Sequence, residues 1–136
     1  SGNLGAKLRT VEEIMITGNK IPFVNGNLIM KKALQIISNK KLGILVVRNS
    51  KGITTGVITD GQIRRFNEVN DNLQSLTVKE VMTLKPISID KDTLVEKALS
   101  IMNSKKITSL CVHSKKNLKR TVGILHIHKI LETNIN

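Results

Sequence analysis

Apolar residues recur along this chain in two rhythms, and each rhythm occurs twice in the same order. Val11, Ile14 and Met15 give a short helical turn one apolar side, and Val78, Val81 and Met82 do so again in the second half. Ile29, Ala33, Ile36 and Ile37 fall at helical spacing, as do Leu94, Ala98, Ile101 and Met102. Two strand-length runs follow each longer helix. "ILVV" (Ile44–Val47) and "GVIT" (Gly56–Thr59) flank the turn-rich "RNSKG", and "SLCV" (Ser109–Val112) and "GILH" (Gly123–His126) flank "SKKNLKR". A last helix is predicted after each pair, with Ile63 and Phe66 inward in the first copy and Ile127, Ile130 and Leu131 in the second. Pro22 and Pro86 mark short extended pieces, since proline lacks the donor a central strand needs. The predicted order is helix–strand–helix–strand–strand–helix, an α+β unit whose small sheet is covered by helices on one face.

The letters repeat as well as the rhythm. "TVEEIM" at Thr10–Met15 returns as "TVKEVM" at Thr77–Met82, and "KKALQIISNKKL" from Lys31 returns as "EKALSIMNSKKI" from Glu96. A duplication of this length predicts two like half-domains, 10–73 and 74–136. Two such halves can face each other about a pseudo-twofold axis, and the seam between them is a natural ligand cleft. Helix ends are also legible. Thr10 with Glu13, and Thr77 with Glu80, have capping-box spacing. Asn27 is expected to cap the first long helix and Asp92 or Thr93 the second. Lys40-Lys41 and Lys105-Lys106 fall where cations offset a helix C-terminus.

Composition narrows the function classes. With no Trp or Tyr, and only Phe23 and Phe66 as aromatics, the core must be aliphatic. The single cysteine, Cys111, lies in an apolar run and reads as a buried, inert thiol of a reducing compartment. No stretch approaches the roughly 20 apolar residues that span a bilayer, so the expected location is cytoplasmic with no membrane partner. The net charge of +12 suggests nucleic acid, but its distribution argues otherwise. Residues 1–73 and 74–136 each hold 11 basic and 5 acidic residues, with no basic arm. The aromatic platforms on which single-strand binders stack bases are also lacking. An attraction for small anions, phosphates or sugar acids, fits better.

The element order and the glycine-led strand running into a helix resemble a tandem cystathionine-β-synthase-type (CBS) domain pair. "MITGNKIP" (Met15–Pro22), "GVITDGQIRR" (Gly56–Arg65), "VMTLKPISI" (Val81–Ile89), "KKITSLCV" (Lys105–Val112) and "GILHIHKIL" (Gly123–Leu131) resemble the C-terminal half of bacterial arabinose 5-phosphate isomerases. Even "SGNLGAKL" at the start is similar to the junction with that family's sugar-isomerase (SIS) domain, which implies that residues 1–9 are a linker from such a domain, missing from this chain. The resemblance implies a regulatory fragment with no catalytic residues and no metal. Its partners would be a second copy of itself and the SIS domain of the same parent chain. That domain interconverts D-arabinose 5-phosphate and D-ribulose 5-phosphate for synthesis of the sugar acid Kdo, used in lipopolysaccharide or capsule. No bound cofactor is implied beyond a nucleotide or CMP-sugar effector.

The resemblance also carries a site pattern: Gly, two apolar residues, a hydroxyl residue, two more residues, then an Asp that accepts from both ribose hydroxyls. The first copy has Thr59 at the hydroxyl position and Gln62 at the acid position. The second has His126 and Lys129 there. Both acids are replaced, which favours an anionic effector such as CMP-linked Kdo over a plain adenosine ligand. The plainer reading makes Thr59 or Asp60 a helix N-cap and Lys129 a solvated lysine. Thr108 and Ser109, with Gly43 and Ile44 as counterparts, stand where a strand enters the cleft in this family. His126 and His128 are read as same-side neighbours of an extended run, short of the four ligands a closed zinc site requires, and so as a plain surface histidine pair or, in a functional role, a phosphate contact. Arg64 and Arg65 diverge by about 100° on a helix, so at most one can face the cleft. The competing function is a purely structural dimerisation module without ligand.

Overall fold

The structure, a computed structural model, describes residues 9–135, the side chains of 134 and 135 excepted. In chain order its elements are α1 (Val11–Ile14), β1 (Phe23–Val24), α2 (Met30–Lys40), β2 (Ile44–Arg48), β3 (Thr54–Thr59), α3 (Asp60–Val69), α4 (Val78–Val81), β4 (Ser88–Asp90), α5 (Val95–Lys105), β5 (Ser109–His113), β6 (Gly123–His126) and α6 (Ile127–Ile135). The predicted α+β order is therefore observed in both copies. The junction-like segment at 1–8, most of the expected linker, lies outside the described residues.

Two compact units form, and they do not follow the repeat boundaries. One is 19–86. The other joins the residues up to Gly18 to those from Ile87 onward. In the first, β1 pairs parallel to β2 and β2 antiparallel to β3, with Phe23 opposite Val46 and Leu45 opposite Ile58. In the second, β4, β5 and β6 repeat that arrangement, with Ile89 opposite Val112 and Leu110 opposite Leu125. Each core is aliphatic: Met30, Ala33, Leu45, Val47 and Ile58 are buried in one, Ala98, Met102, Leu110, Leu125 and Ile130 in the other.

The offset arises because each opening helix closes the other copy's unit. α4, written in the second repeat, clips onto the first repeat's strands and long helix. Leu76 O accepts from Met30 N at 2.7 Å, Val78 N donates to Leu28 O at 2.8 Å, and Val57 and Thr83 exchange both backbone bonds at 3.0 and 2.9 Å. α1 does the same for the second: Val95 N donates to Arg9 O at 2.9 Å, Val11 N to Thr93 O at 2.8 Å, and Ile16 and Ile124 exchange bonds at 2.8 and 2.9 Å.

This clip corrects several expectations. The long helices are not capped by Asn27, Asp92 or Thr93; Ile29 and Leu94 hold the N-cap positions with no side-chain bond. A clip carbonyl takes the first amide of each helix instead, Leu76 O from Met30 N and Arg9 O from Val95 N. Ile29 and Leu94 are exposed as a result, and Met30 and Val95 take the buried places. Leu131, expected inward on α6, is exposed beside a fully buried Ile130.

The Thr77–Glu80 capping box forms, with both reciprocal bonds in place. Its twin does not, because Glu13 turns to Arg9 Nε at 3.4 Å. Leu76 stands where Arg9 stands in the other copy and offers no competing cation. The lysine doublets end α2 and α5 as expected, with Lys41 and Lys106 in the left-handed region.

Candidate functional site

In each repeat the candidate residues sit at one corner, where the third strand runs directly into the last helix. In the second repeat, Ser109 at the start of β5 pairs with His126 at the end of β6. Ile127 N donates to Thr108 O at 2.9 Å, fixing the chain's direction as α6 begins. In the first, Ile44 pairs with Thr59 and Asp60 N donates to Gly43 O at 3.0 Å. The strand register therefore supports the predicted correspondence of Thr108 with Gly43 and Ser109 with Ile44.

Thr59 is the N-cap of α3, its hydroxyl accepting from Gln62 N at 3.2 Å. The Gln62 side chain donates through Nε2 to Val81 O, and its buried Oε1 has no partner among the described residues. A buried amide oxygen without a donor is costly and stands ready for one.

His126 does the same capping work with different chemistry. It is buried, and its Nδ1 accepts from His128 N at 3.1 Å. An accepting Nδ1 carries no proton, so the neutral ring holds its proton on Nε2. Burial lowers the His126 pKa, and the neighbouring His128 lowers it further. His126 and His128 are not neighbours in an extended run, as their spacing suggested. One ends a strand and the other lies in the first turn of a helix, and their rings stack at 4.9 Å with 27° between planes.

Lys129 is exposed and lies 3.9 Å from Glu132 one turn along α6. The second corner thus brings Thr108 and Ser109 beside His126 and His128, with exposed Lys129 next along α6. The first collects Thr59 and Gln62 beside apolar Ile44. Arg64 and Arg65 are both exposed on α3.

The remaining chemistry lies elsewhere. His113 Nδ1 is 2.6 Å from the Ser88 hydroxyl. Cys111 is buried, which pushes its thiol up to about 11 despite a hydrogen bond with Thr121. No group of three or more His, Cys, Asp or Glu able to hold a metal occurs among the described residues. No described helix is long and apolar enough to cross a membrane. An open cavity of about 330 Å³ lies between α2 and the 3₁₀ turn at Leu73–Ser75, and no candidate residue lines it.

Sequence reasoning used Gly56 and Gly123 only as the leading glycines of the strand-to-helix pattern and missed their packing role. A Cβ on Gly56 would stand 2.7 Å from Thr83 O, and one on Gly123 would stand 2.4 Å from Met15 Sδ. The signal was present: each glycine follows the same strand position in its copy, and a methionine ends each "TVxEIM"-like segment.

Two three-stranded mixed sheets with interleaved clip helices, each sheet feeding a capped helix, define a duplicated α+β module. The CBS-domain family matches residues 11–68 and 78–135, and the chain belongs to that family as a tandem pair. It is 36% identical over 135 residues to arabinose 5-phosphate isomerase KdsD of Salmonella typhi, and 33% identical over the same length to that of Escherichia coli (strain K12). Each match covers 98% of this chain but only 40% of the relative, so the chain spans well under half the length of those proteins.

Solved structures share the fold. A CBS-domain pair in complex with 5′-methylthioadenosine and S-adenosyl-L-methionine aligns at TM-score 0.79 and 22% identity, over 92% of this chain and 94% of that one. CBSX2 from Arabidopsis thaliana, solved with AMP, aligns at 0.78 and 20%, over 93% and 96%.

Proposed function

We propose that this CBS pair is the non-catalytic regulatory module of an arabinose 5-phosphate isomerase, and that its second repeat senses an anionic effector carrying a phosphate. The observation that carries the reading is the donor-rich corner of Ser109, His126, His128 and Lys129. With Nδ1 held by the helix amide, the His126 ring can offer only its Nε2 proton, which suits a phosphate or carboxylate oxygen. Lys129 stands where the family pattern has an acid, so the corner has gained positive charge where ribose would otherwise be gripped. The match to KdsD across the chain supports the parent enzyme, and the adenosine ligands of related pairs support a nucleotide-like effector. A CMP-linked sugar acid meets both requirements and would give feedback control.

A second reading has its own support. Thr59 and His126 are both engaged as helix caps and Gln62 is turned onto Val81 O, as in a structural module that dimerises without ligand. Calorimetric titration with AMP, ATP, CMP, CMP-Kdo and arabinose 5-phosphate separates the two. The sensor reading expects saturable binding of CMP-Kdo, weakened by Lys129→Ala. Silence across the whole panel from a folded dimer selects the structural module.

A further inference from the structure

The two copies differ in the connection between their last two strands. The first is the short turn 49–53, tied down by Asn49 Oδ1, which accepts from Lys51 N at 2.9 Å and Ile53 N at 3.0 Å. The second is longer, 114–122, and carries Lys115, Lys116, Lys119 and Arg120 around Leu118. Its own residues order it: Ser114 bridges Asn117 through the backbone, and the Asn117 side-chain Oδ1 accepts from Lys119 N at 3.2 Å. All four cations are exposed, and Leu118 is 67% exposed. No acidic residue lies within 114–122, and Lys115, Lys116 and Lys119 make no ion pair among the described residues. Acids do stand near the base of the hairpin. Asp90 pairs in register with His113, Asp92 follows it, and Glu12 is taken by Lys91 at 2.9 Å. They offset part of the field and leave the hairpin cationic.

Between register-matched partners the second connection is two residues longer (Val112 to Gly123 against Val47 to Gly56), and insertions in a repeat map to loops on a face often used for binding. Four cations around one exposed aliphatic side chain complement a surface that is anionic outside and apolar a few ångströms in. We propose that the 114–122 hairpin docks on an anionic lipid bilayer, its lysines and arginine on the headgroup phosphates and Leu118 at the acyl boundary. This is surface contact, not a span. A nucleic acid or an acidic polypeptide would use the cations but leave Leu118 without a role, which is why the bilayer is favoured.

The test is co-sedimentation of the 136-residue chain with vesicles containing about 30 mol % phosphatidylglycerol, against pure phosphatidylcholine. Binding is expected to the anionic vesicles only, and to be lost at about 500 mM salt, where exposed charges are screened. Reversing Lys115, Lys116 and Lys119 to Glu should lower the bound fraction at least about fivefold. Leu118→Ser, which keeps every charge, should lower it about threefold. Reversing three exposed lysines on α2 and α5 (Lys31, Lys32 and Lys97) should leave most binding intact, which separates a built surface from general cationic stickiness. The inference fails if the two triple reversals act alike, or if Leu118→Ser changes nothing. It fails too if polyglutamate or single-stranded RNA binds the chain while vesicles do not. All the substituted side chains are exposed, and circular dichroism confirms that each variant is folded.

Discussion

The two repeats reach the same strand-to-helix corner from matching text, yet close it with different groups. Thr59 caps α3 with a hydroxyl, and His126 caps α6 with a ring nitrogen. The exchange preserves the geometry, because both offer a lone pair to an orphan amide of the first turn. It does not preserve the response to conditions: a hydroxyl accepts at any pH, whereas an imidazole accepts only while neutral. Duplication keeps what the backbone requires and leaves the chemistry of the corner free to diverge. The sharpest tests therefore pit one copy against the other.

The largest effect is expected where the clip approaches each glycine strand. Gly56→Ala would bring a Cβ within 2.7 Å of the Thr83 backbone oxygen and 2.8 Å of Met82 Sδ. Gly123→Ala meets Met15 Sδ at 2.4 Å, but its nearest backbone atom, Ile16 O, is 3.2 Å away. A methionine tip can swing aside, whereas a carbonyl in a paired bridge cannot. The closer contact therefore belongs to the milder variant. Urea unfolding followed by circular dichroism should show Gly56→Ala losing about 3 kcal/mol and Gly123→Ala about 1 to 2. The reverse order would mean that the clip on the second repeat is the more rigid one.

The His126 cap comes next. Burial, and then His128, hold its pKa below the ordinary 6.5, so the unfolded chain binds that proton more readily than the folded one. Stability is thus fully present above the unfolded histidine's range and is lost as pH falls through it toward the lowered folded value. His126→Thr installs the group the first repeat already uses. It should flatten this part of the pH profile between about pH 7 and 5 while leaving neutral-pH stability within about 1 kcal/mol. His113 and His128 remain in the variant, so the difference between the two profiles isolates His126. An unchanged profile would mean that the His126 ring does not carry this pH response. Cys111 gives the comparison a local reporter, since its buried thiol, pushed up to about 11, belongs only to the second repeat's unit. A thiol reagent at neutral pH should label it only as fast as that unit opens, and faster in Gly123→Ala than in Gly56→Ala.

Much of this was legible from sequence, and several of the misses share one cause. Element order, the aliphatic cores and the buried cysteine follow from local periodicity, which reads correctly wherever a segment's neighbours are near in the chain. Thr59 was correctly placed at a cap and Ser109 at the mouth of a strand. What periodicity could not carry was the crossing of the opening helices between copies. Those contacts join Arg9 to Val95 and Leu76 to Met30, pairs far apart in sequence. From that one crossing follow the missing side-chain caps on α2 and α5, the exposure of Ile29 and Leu94, and the requirement for glycine at 56 and 123. The stacking of His126 on His128 escaped notice for a related reason. The strand ends between them, so a spacing of two changes meaning at that point.

The smallest expected effect probes the opening helices themselves, where two nearly identical capping boxes came out differently. Thr77 and Glu80 satisfy each other's amides, and the two bonds from Thr77 hold the Glu80 carboxyl below its usual range. Thr10 makes no side-chain cap, and Glu13 faces Arg9 across a solvent-exposed gap. Thr77→Ala should therefore cost about 1 kcal/mol and Thr10→Ala only a few tenths. The Thr77 contribution depends on an ionised Glu80, so it is present above the unfolded carboxylate's range and fades as pH falls through the lowered folded value. Arg9→Leu gives the first repeat the neighbour that the second already has. If Arg9 is what draws Glu13 away, this single change should form the missing box and make Thr10→Ala as costly as Thr77→Ala. If the two threonines remain unequal in the Arg9→Leu background, the difference lies in the backbone of the clip and not in the competing cation.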